Sequence, residues 1–305
     1  MSRSLGLALG FAADRLVGDP ARLHPVAGFG RTAAWLEQRT YADTRLAGAA
    51  HVATLVGATV LLGRGGRGTA ATALATWAVL GGTSLDREAA AVETLLGRGD
   101  LPGARRRLTH LVGRVTDDLD ETGVARATIE SVAENTSDAV VAPLVWGALA
   151  GVPGLVGYRA ANTLDAMIGH HTERYERFGW AAARLDDLLN LPGSRLAALL
   201  VVTLGADRRS AVRAWRRDAR AHPSPNAGPV EASFAGALGL RLGGETVYAH
   251  RVERRPVLGD GDSPVAADIR RARALAGRVQ VGAVVVAVVS ALGPTLGRRR
   301  RSRPR

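Results

Sequence analysis

ESVAENTSDAVVAPLVWGALAG (130–151), PGLVGYRAANTLDAMIGH (153–170) and RYERFGWAAARLDDLLN (174–190) decide how this chain folds, because they set carboxylates, amides and arginines into a wall of Ala, Val, Leu and Gly. Glu130, Glu134 and Asp138 recur every four residues, which puts three carboxylates on one face of a helix. In water each such like-charge pair costs only about 0.2–0.5 kcal/mol. This ladder runs straight into AVVAPLVWGALAG, and in an apolar medium unpaired carboxylates cost far more. It therefore asks for a cation. With Asn135 beside it, either a hard ion such as Mg²⁺ held by Glu130, Glu134 and Asp138 or pairing with arginine meets the demand. Further on, Asn162 and Asp165 stand three apart with His170 at the end of their segment. Asp186 and Asn190 are four apart and Arg184 and Asp187 three apart, so the last segment carries an acid and amide edge beside an ion-pairing one.

The rest of the chain supplies the medium. Cysteine is absent, which removes disulfides, thiolate nucleophiles and thiolate metal sites. The net charge of +12 is carried by arginine, without lysine. No basic stripe interleaved with aromatics, zinc-finger spacing or RNA-binding motif accompanies that charge, so nucleic acid is not an expected partner. Arginines placed beside apolar runs instead follow the excess of positive charge in cytoplasmic loops of membrane proteins, RRRRSRPR at the C-terminus being the clearest case. The expected fold is all-α: a multi-pass integral membrane helical protein, one domain over 1–305, with polar connecting loops and amphipathic helices. Candidate spans are 46–63, 69–85, 139–157, a short 196–206 and 279–296, judged against the roughly 20 apolar residues a bilayer requires. The first two read as a membrane hairpin, with a pair of buried soluble helices as the alternative. Val279–Leu296 either crosses or re-enters.

Leu5–Ala13 is too short to span and reads as a membrane-edge helix rather than a cleaved leader. DRLVGDPARLHPVAGFGR (14–31) is a Gly- and Pro-punctuated loop that gathers Asp14, Asp19, His24 and Arg31, either an acid, base and anion-binding set or a polar connector. From Asp86 to Ala127 the pattern is charged amphipathic helix, broken at GDLPG, with Arg105–Arg107 as a solvated face and DDLDETG as a loop carrying a helix cap. HPSPNAGP (222–229) is a rigid loop with the next element starting near Asn226, and LGDGDSP (258–264) is a second polar loop.

Walker A, GxGxxG after a strand, HExxH and GxSxG are all missing. The motifs DRLVGDPARLHPVAGFGR, ESVAENTSDAVVAPLVW, YRAANTLDAMIGH, RYERFGWAAARLDDLLN and HPSPNAG, in this order, closely resemble the CobD/CbiB family, the adenosylcobinamide-phosphate synthases of cobalamin biosynthesis. The resemblance implies a multi-pass enzyme of the cell membrane, its site facing the cytoplasm. It implies that the enzyme joins adenosylcobyric acid to (R)-1-amino-2-propanol or its O-phosphate through an amide bond, with ATP and Mg²⁺ as cofactors. Other membrane enzymes of the cobalamin pathway are implied as partners. On this basis Glu130, Glu134, Asp138 and Asp165 form the acidic metal or amine site, and Asp19, His24 and Arg31 close it. Arg159, Arg174 and Arg184 receive phosphate or corrin side-chain groups, and His24 or His222 handles a proton. Asn135, Asn162, His170, Asp187 and Asn226 complete the expected substrate contacts. One position departs from the family pattern: Gly113-Arg114-Val115-Thr116 has valine where the family commonly carries an acid, a role that falls to Asp117 or Asp118 if it is kept. The alternative is a non-catalytic membrane sensor or scaffold of the AmpE-like type. Alanine at Glu134 or Asp165 is expected to abolish product formation while the protein still inserts in the membrane; full activity of both variants overturns the assignment.

Overall fold

The computed structural model describes residues 2–18, 24–248 and 251–301, with side chains up to 292 apart from those of 248 and 251. The described chain is helical throughout except for one two-stranded hairpin. Three helices are long and apolar enough to cross a membrane, Arg45–Gly63, Trp180–Leu204 and Ala266–Leu292, and the fold is that of an all-α membrane protein. The chain divides into two compact units.

The first unit comprises Met1–Gly81, Ala142–Asn190 and Ala283–Arg305. It holds α1 (Ser2–Val17), α2 (Pro25–Thr40), α3 (Arg45–Gly63), α4 (Gly68–Val79), α8 (Ala142–Ala150) and α9 (Val152–Ile168). α9 is the hub, packed by α2, α3, α4 and α8. Glycine sets the spacing: a Cβ on Gly6 of α1 would lie 2.5 Å from Thr72 Cβ of α4, and one on Gly10 would run into Thr76. The hydroxyls of Thr72 and Thr76 bond back to carbonyls of their own helix at 2.9 and 2.7 Å, which satisfies them without a partner from α1. Gly6 and Gly10, four apart, are the small residues that let two helices approach backbone to backbone. α3 meets α9 in the same way, through Gly63 against Val156 and Gly157 against Val60. Val52, Leu55, Leu164, Ile168 and Phe178 fill the core beneath.

The second unit comprises Gly82–Val141 and Leu191–Gly282. Its helices are α5 (Gly82–Gly97), α6 (Leu101–Leu108), α7 (Glu121–Thr136), α11 (Arg208–Asp218) and α12 (Ala227–Leu238), with the antiparallel strands β1 (Leu242–Tyr248) and β2 (Arg251–Leu258). The caps are those that the turn residues announce: Asp100 accepts from Gly103 N–H at 2.8 Å to start α6, and Asp120 from Gly123 N–H at 2.7 Å to start α7. α12 is buried along all twelve residues, packed by α7, α11 and the hairpin. α10 (Trp180–Leu204) and α13 (Ala266–Arg301) contribute residues to both units.

Several elements differ from the sequence reading. The expected run 69–85 is two helices, because Leu80 turns extended ahead of Gly81-Gly82. The run 139–157 is interrupted twice, by the π turn Ser137–Val141 and by Gly151, whose φ of +69° precedes Pro153. The short 196–206 run is the end of a continuous 25-residue α10 that absorbs Pro192. The hairpin occupies a stretch, 242–258, for which the sequence suggested no regular element. Valine at Gly10 should overpack the α1–α4 contact and destabilise the protein by about 1–3 kcal/mol, read as a lowered melting temperature in detergent; an unchanged melt contradicts the close approach.

Candidate active site

Glu130 and Glu134 project from one face of α7 into the second unit, as their spacing requires. Glu130 is 2 % exposed, and both of its oxygens are engaged. One accepts the Gly243 N–H at 2.8 Å; the other lies 2.8 Å from the guanidinium of Arg114, itself nearly buried. Gly243 sits at the β1 bulge with φ +81°, where any side chain would strike the Pro256 carbonyl, so only glycine delivers its N–H to the carboxylate. Val115, beside Arg114, uses its own N–H on the Val247 carbonyl at 2.8 Å, while Asp117 and Asp118 are solvent-exposed. The second guanidinium, Arg255 of β2, is held by Glu253 at 3.9 Å.

A third carboxylate completes this group. Glu231 of α12 is 1 % exposed, and neither of its oxygens has a hydrogen-bond partner among the described residues. Burial, then the charges of Glu130 and Glu134, push its carboxyl well above the ordinary 4.5, against the opposing pull of Arg255 and Arg114. Burial raises Glu134 as well. The protonated form of Glu231 is thereby favoured over its carboxylate. His222 Nε2 lies 3.8 Å from Glu231 Oε2, also without a hydrogen-bond partner among the described residues. Burial and the Arg255 charge lower the His222 imidazole below 6.5 and keep it neutral. Its Nδ1 is 3.1 Å from the Ser224 amide nitrogen and 3.3 Å from the Ser224 carbonyl oxygen, so one backbone residue serves either tautomer. His222 and Glu231 form a buried base and acid pair, set slightly farther apart than a hydrogen bond.

The other side of His222 forms the wall of an open cleft of about 720 Å³, lined also by Arg195, Trp215, Arg216, Ala219, Arg220 and three prolines. The HPSPNAG loop builds this wall. Ser224 Oγ accepts the N–H groups of Asn226 and Ala227 at 3.2 and 3.1 Å and starts α12. Asn226 Oδ1 accepts from Ser194 Oγ at 3.0 Å and from Arg195 at 2.8 Å.

The first unit holds a separate polar chain. Asp186 accepts from the Asn162 amide at 3.2 Å and from the Asn190 amide at 3.0 Å, and Asn190 accepts from Tyr158 OH at 2.7 Å. Arg159 donates to Asn162 at 3.4 Å. Asp186 is the acid of this network, on the Asp186 and Asn190 edge that the spacing announced, and Asp187 pairs with Arg184 at 3.8 Å. Arg174 is bound to Glu37 at 2.9 Å and lies over the Tyr41 ring. His24 caps α2 by accepting the Val26 N–H at 3.2 Å, His170 lies 2.8 Å from the Ala166 carbonyl, Asp165 is half-buried, and Arg31 is exposed. Asp19 lies outside the described residues.

The expected metal set of Glu130, Glu134 and Asp138 is not gathered into one ligand group among the described residues. Among the described residues no group of three or more Asp, Glu, His or Cys is placed to bind a metal ion. Arg114 and the Gly243 N–H already occupy Glu130, and the π turn puts Asp138 outside the α-helical period of the ladder. Arginine is the cation that the ladder receives, and Asn135 is turned back onto Ser131 of its own helix. Sequence reasoning missed Glu231, Arg114, Arg255 and the cleft arginines. Glu231 had a signal, since it is the single charge in AGPVEASFAGAL.

A carboxyl raised in the fold contributes stability that is complete below its unfolded value and is lost as pH rises toward its folded one. Glu231→Gln, which mimics the protonated form, should therefore gain on the native chain as pH climbs from about 5 to 8, by roughly 2–4 °C in melting temperature per kcal/mol. A gap that is constant across that range contradicts a protonated Glu231.

The model of the CobD/Cbib protein family matches residues 7–276 of this chain. Cobalamin biosynthesis protein CobD of Mycobacterium tuberculosis H37Rv is 57% identical over 299 residues, covering 94% of this chain and 96% of the relative. The protein of the same name from Stutzerimonas stutzeri A1501 is 48% identical over 269 residues, 85% of this chain and 88% of the relative. That of Chromobacterium violaceum is 45% identical over 300 residues, 91% and 93% respectively. No solved structure matches. The chain belongs to the CobD/CbiB family.

Proposed function

We propose that this chain is the amide-forming membrane enzyme of cobalamin biosynthesis, joining adenosylcobyric acid to (R)-1-amino-2-propanol or its O-phosphate at the expense of ATP. The observation that carries the reading is His222, an imidazole in the wall of an open cationic cleft with the Glu231 carboxyl 3.8 Å from its Nε2. A sensor or scaffold has no use for that arrangement.

The chemistry asks three things of the chain. The substrate carboxylate takes the terminal phosphoryl group of ATP and ADP leaves. The amine nitrogen then attacks the acyl carbon, forming the C–N bond as the C–O bond to phosphate breaks. The nitrogen gives up a proton, which His222 receives. Glu130, clamped by Arg114 and the Gly243 N–H, supplies the fixed negative charge that stabilises the imidazolium while it exists. Among the described residues no group of three or more Asp, Glu, His or Cys is placed to hold a metal, and no step here is routed through one. The arginine-rich α11 beside the cleft supports a site on the cytoplasmic side of the cell membrane.

The test is product formation by the detergent-purified chain given adenosylcobyric acid, aminopropanol phosphate, ATP and Mg²⁺. Wild type should yield the amide by mass spectrometry, and His222→Ala should lower kcat by about 100-fold or more with an unchanged melt. Absence of product together with absence of binding by either substrate favours the scaffold reading. A full rate in His222→Ala removes the histidine from the chemistry.

A further inference from the structure

We propose that the proline-walled cleft of the second unit is a phosphoryl-group subsite in which Arg195, Arg216 and Arg220 bind the anion. It deepens the functional reading above by naming the ligand class of the cleft.

The three guanidiniums come from different segments, α10, α11 and the turn Ala219–Ala221, yet line one opening. Arg217, next to Arg216 on the same helix, is neutralised by Asp218 at 2.6 Å and Asp260 at 3.1 Å. Arg195, Arg216 and Arg220 have no carboxylate partner among the described residues. The chain thus pairs the arginine that points away from the cleft and leaves unpaired the ones that line it.

Arg195 is held without being neutralised. Its guanidinium donates to Ser194 Oγ and Asn226 Oδ1, both at 2.8 Å, and these neutral acceptors orient the group while its charge stays available. The prolines of the HPSPNAG loop fix the opposite wall, so little ordering entropy is lost on binding.

The charge count selects phosphate. One carboxylate offsets a single guanidinium and leaves two repelling each other, whereas a phosphomonoester or polyphosphate brings two or more negative charges and several acceptor oxygens. Arg159, Arg174 and Arg184, the arginines expected to take this role, are instead bound to Asn162, Glu37 and Asp187 in the first unit.

The experiment titrates the full-length chain, purified in detergent, with inorganic pyrophosphate and separately with O-phosphoethanolamine by calorimetry. Saturable binding is expected, weakened about tenfold or more by Arg216→Gln and by Arg220→Gln. Arg208→Gln, on the exposed outer face of α11, should leave affinity unchanged, and all variants should melt with wild type. Tighter binding of pyrophosphate assigns the subsite to a polyphosphate, and tighter binding of O-phosphoethanolamine to a phosphomonoester. Titration in nanodiscs of phosphatidylcholine against phosphatidylglycerol separates a lipid headgroup from both, since anionic lipid would then compete. Failure to bind either ligand in detergent and in phosphatidylcholine discs, or an equal loss in Arg208→Gln, overturns the proposal. Binding without amide product keeps the subsite and sinks the enzymatic reading. Amide product at full rate in both cleft variants does the reverse.

Discussion

A carboxylate taken out of water must be paired or protonated, and the second unit meets that demand in both ways within one group of side chains. Glu130 is paired, with a guanidinium on one oxygen and a backbone N–H on the other. Glu231 has no such partner, and its surroundings favour the protonated form instead. The two solutions depend on each other, because the charge kept on Glu130 is part of what makes ionisation of Glu231 unfavourable. Removing Arg114 would therefore alter more than one ion pair, since the same guanidinium moderates both raised carboxyls.

The first unit solves a different problem with the same small residues. Its helices approach through Gly6, Gly10, Gly63 and Gly157, so van der Waals contact replaces the bulk that larger side chains would supply. Its polar chain from Arg159 through Asn162, Asp186 and Asn190 to Tyr158 satisfies its groups mutually. The second unit, by contrast, lines an open cleft with arginines that have no carboxylate partner among the described residues.

Local features were legible in the sequence. The four-residue carboxylate spacing, the caps at Asp100 and Asp120 and the start of α12 beside Asn226 all follow from neighbours in the chain. The family was legible too, because its motifs are long and ordered. What escaped depends on residues far apart: Arg114 and Gly243 reach Glu130 only through the hairpin, and Glu231 meets Glu130 across roughly a hundred residues of chain. The π turn escaped for another reason, since SDAVV carries no glycine or proline to announce it. Hydropathy likewise joined 69–85 into one run because a Gly-Gly break costs an average almost nothing.

The hairpin of β1 and β2 is the one sheet among the described residues and the element that a composition-based reading discards. It nevertheless delivers the Gly243 amide and carries Arg255, two of the groups that keep buried negative charge tolerable. It follows that the lower size limit of this domain is set by electrostatics rather than by hydrophobic volume. A version of the chain pared down to its helices would keep its oil and lose its counterions.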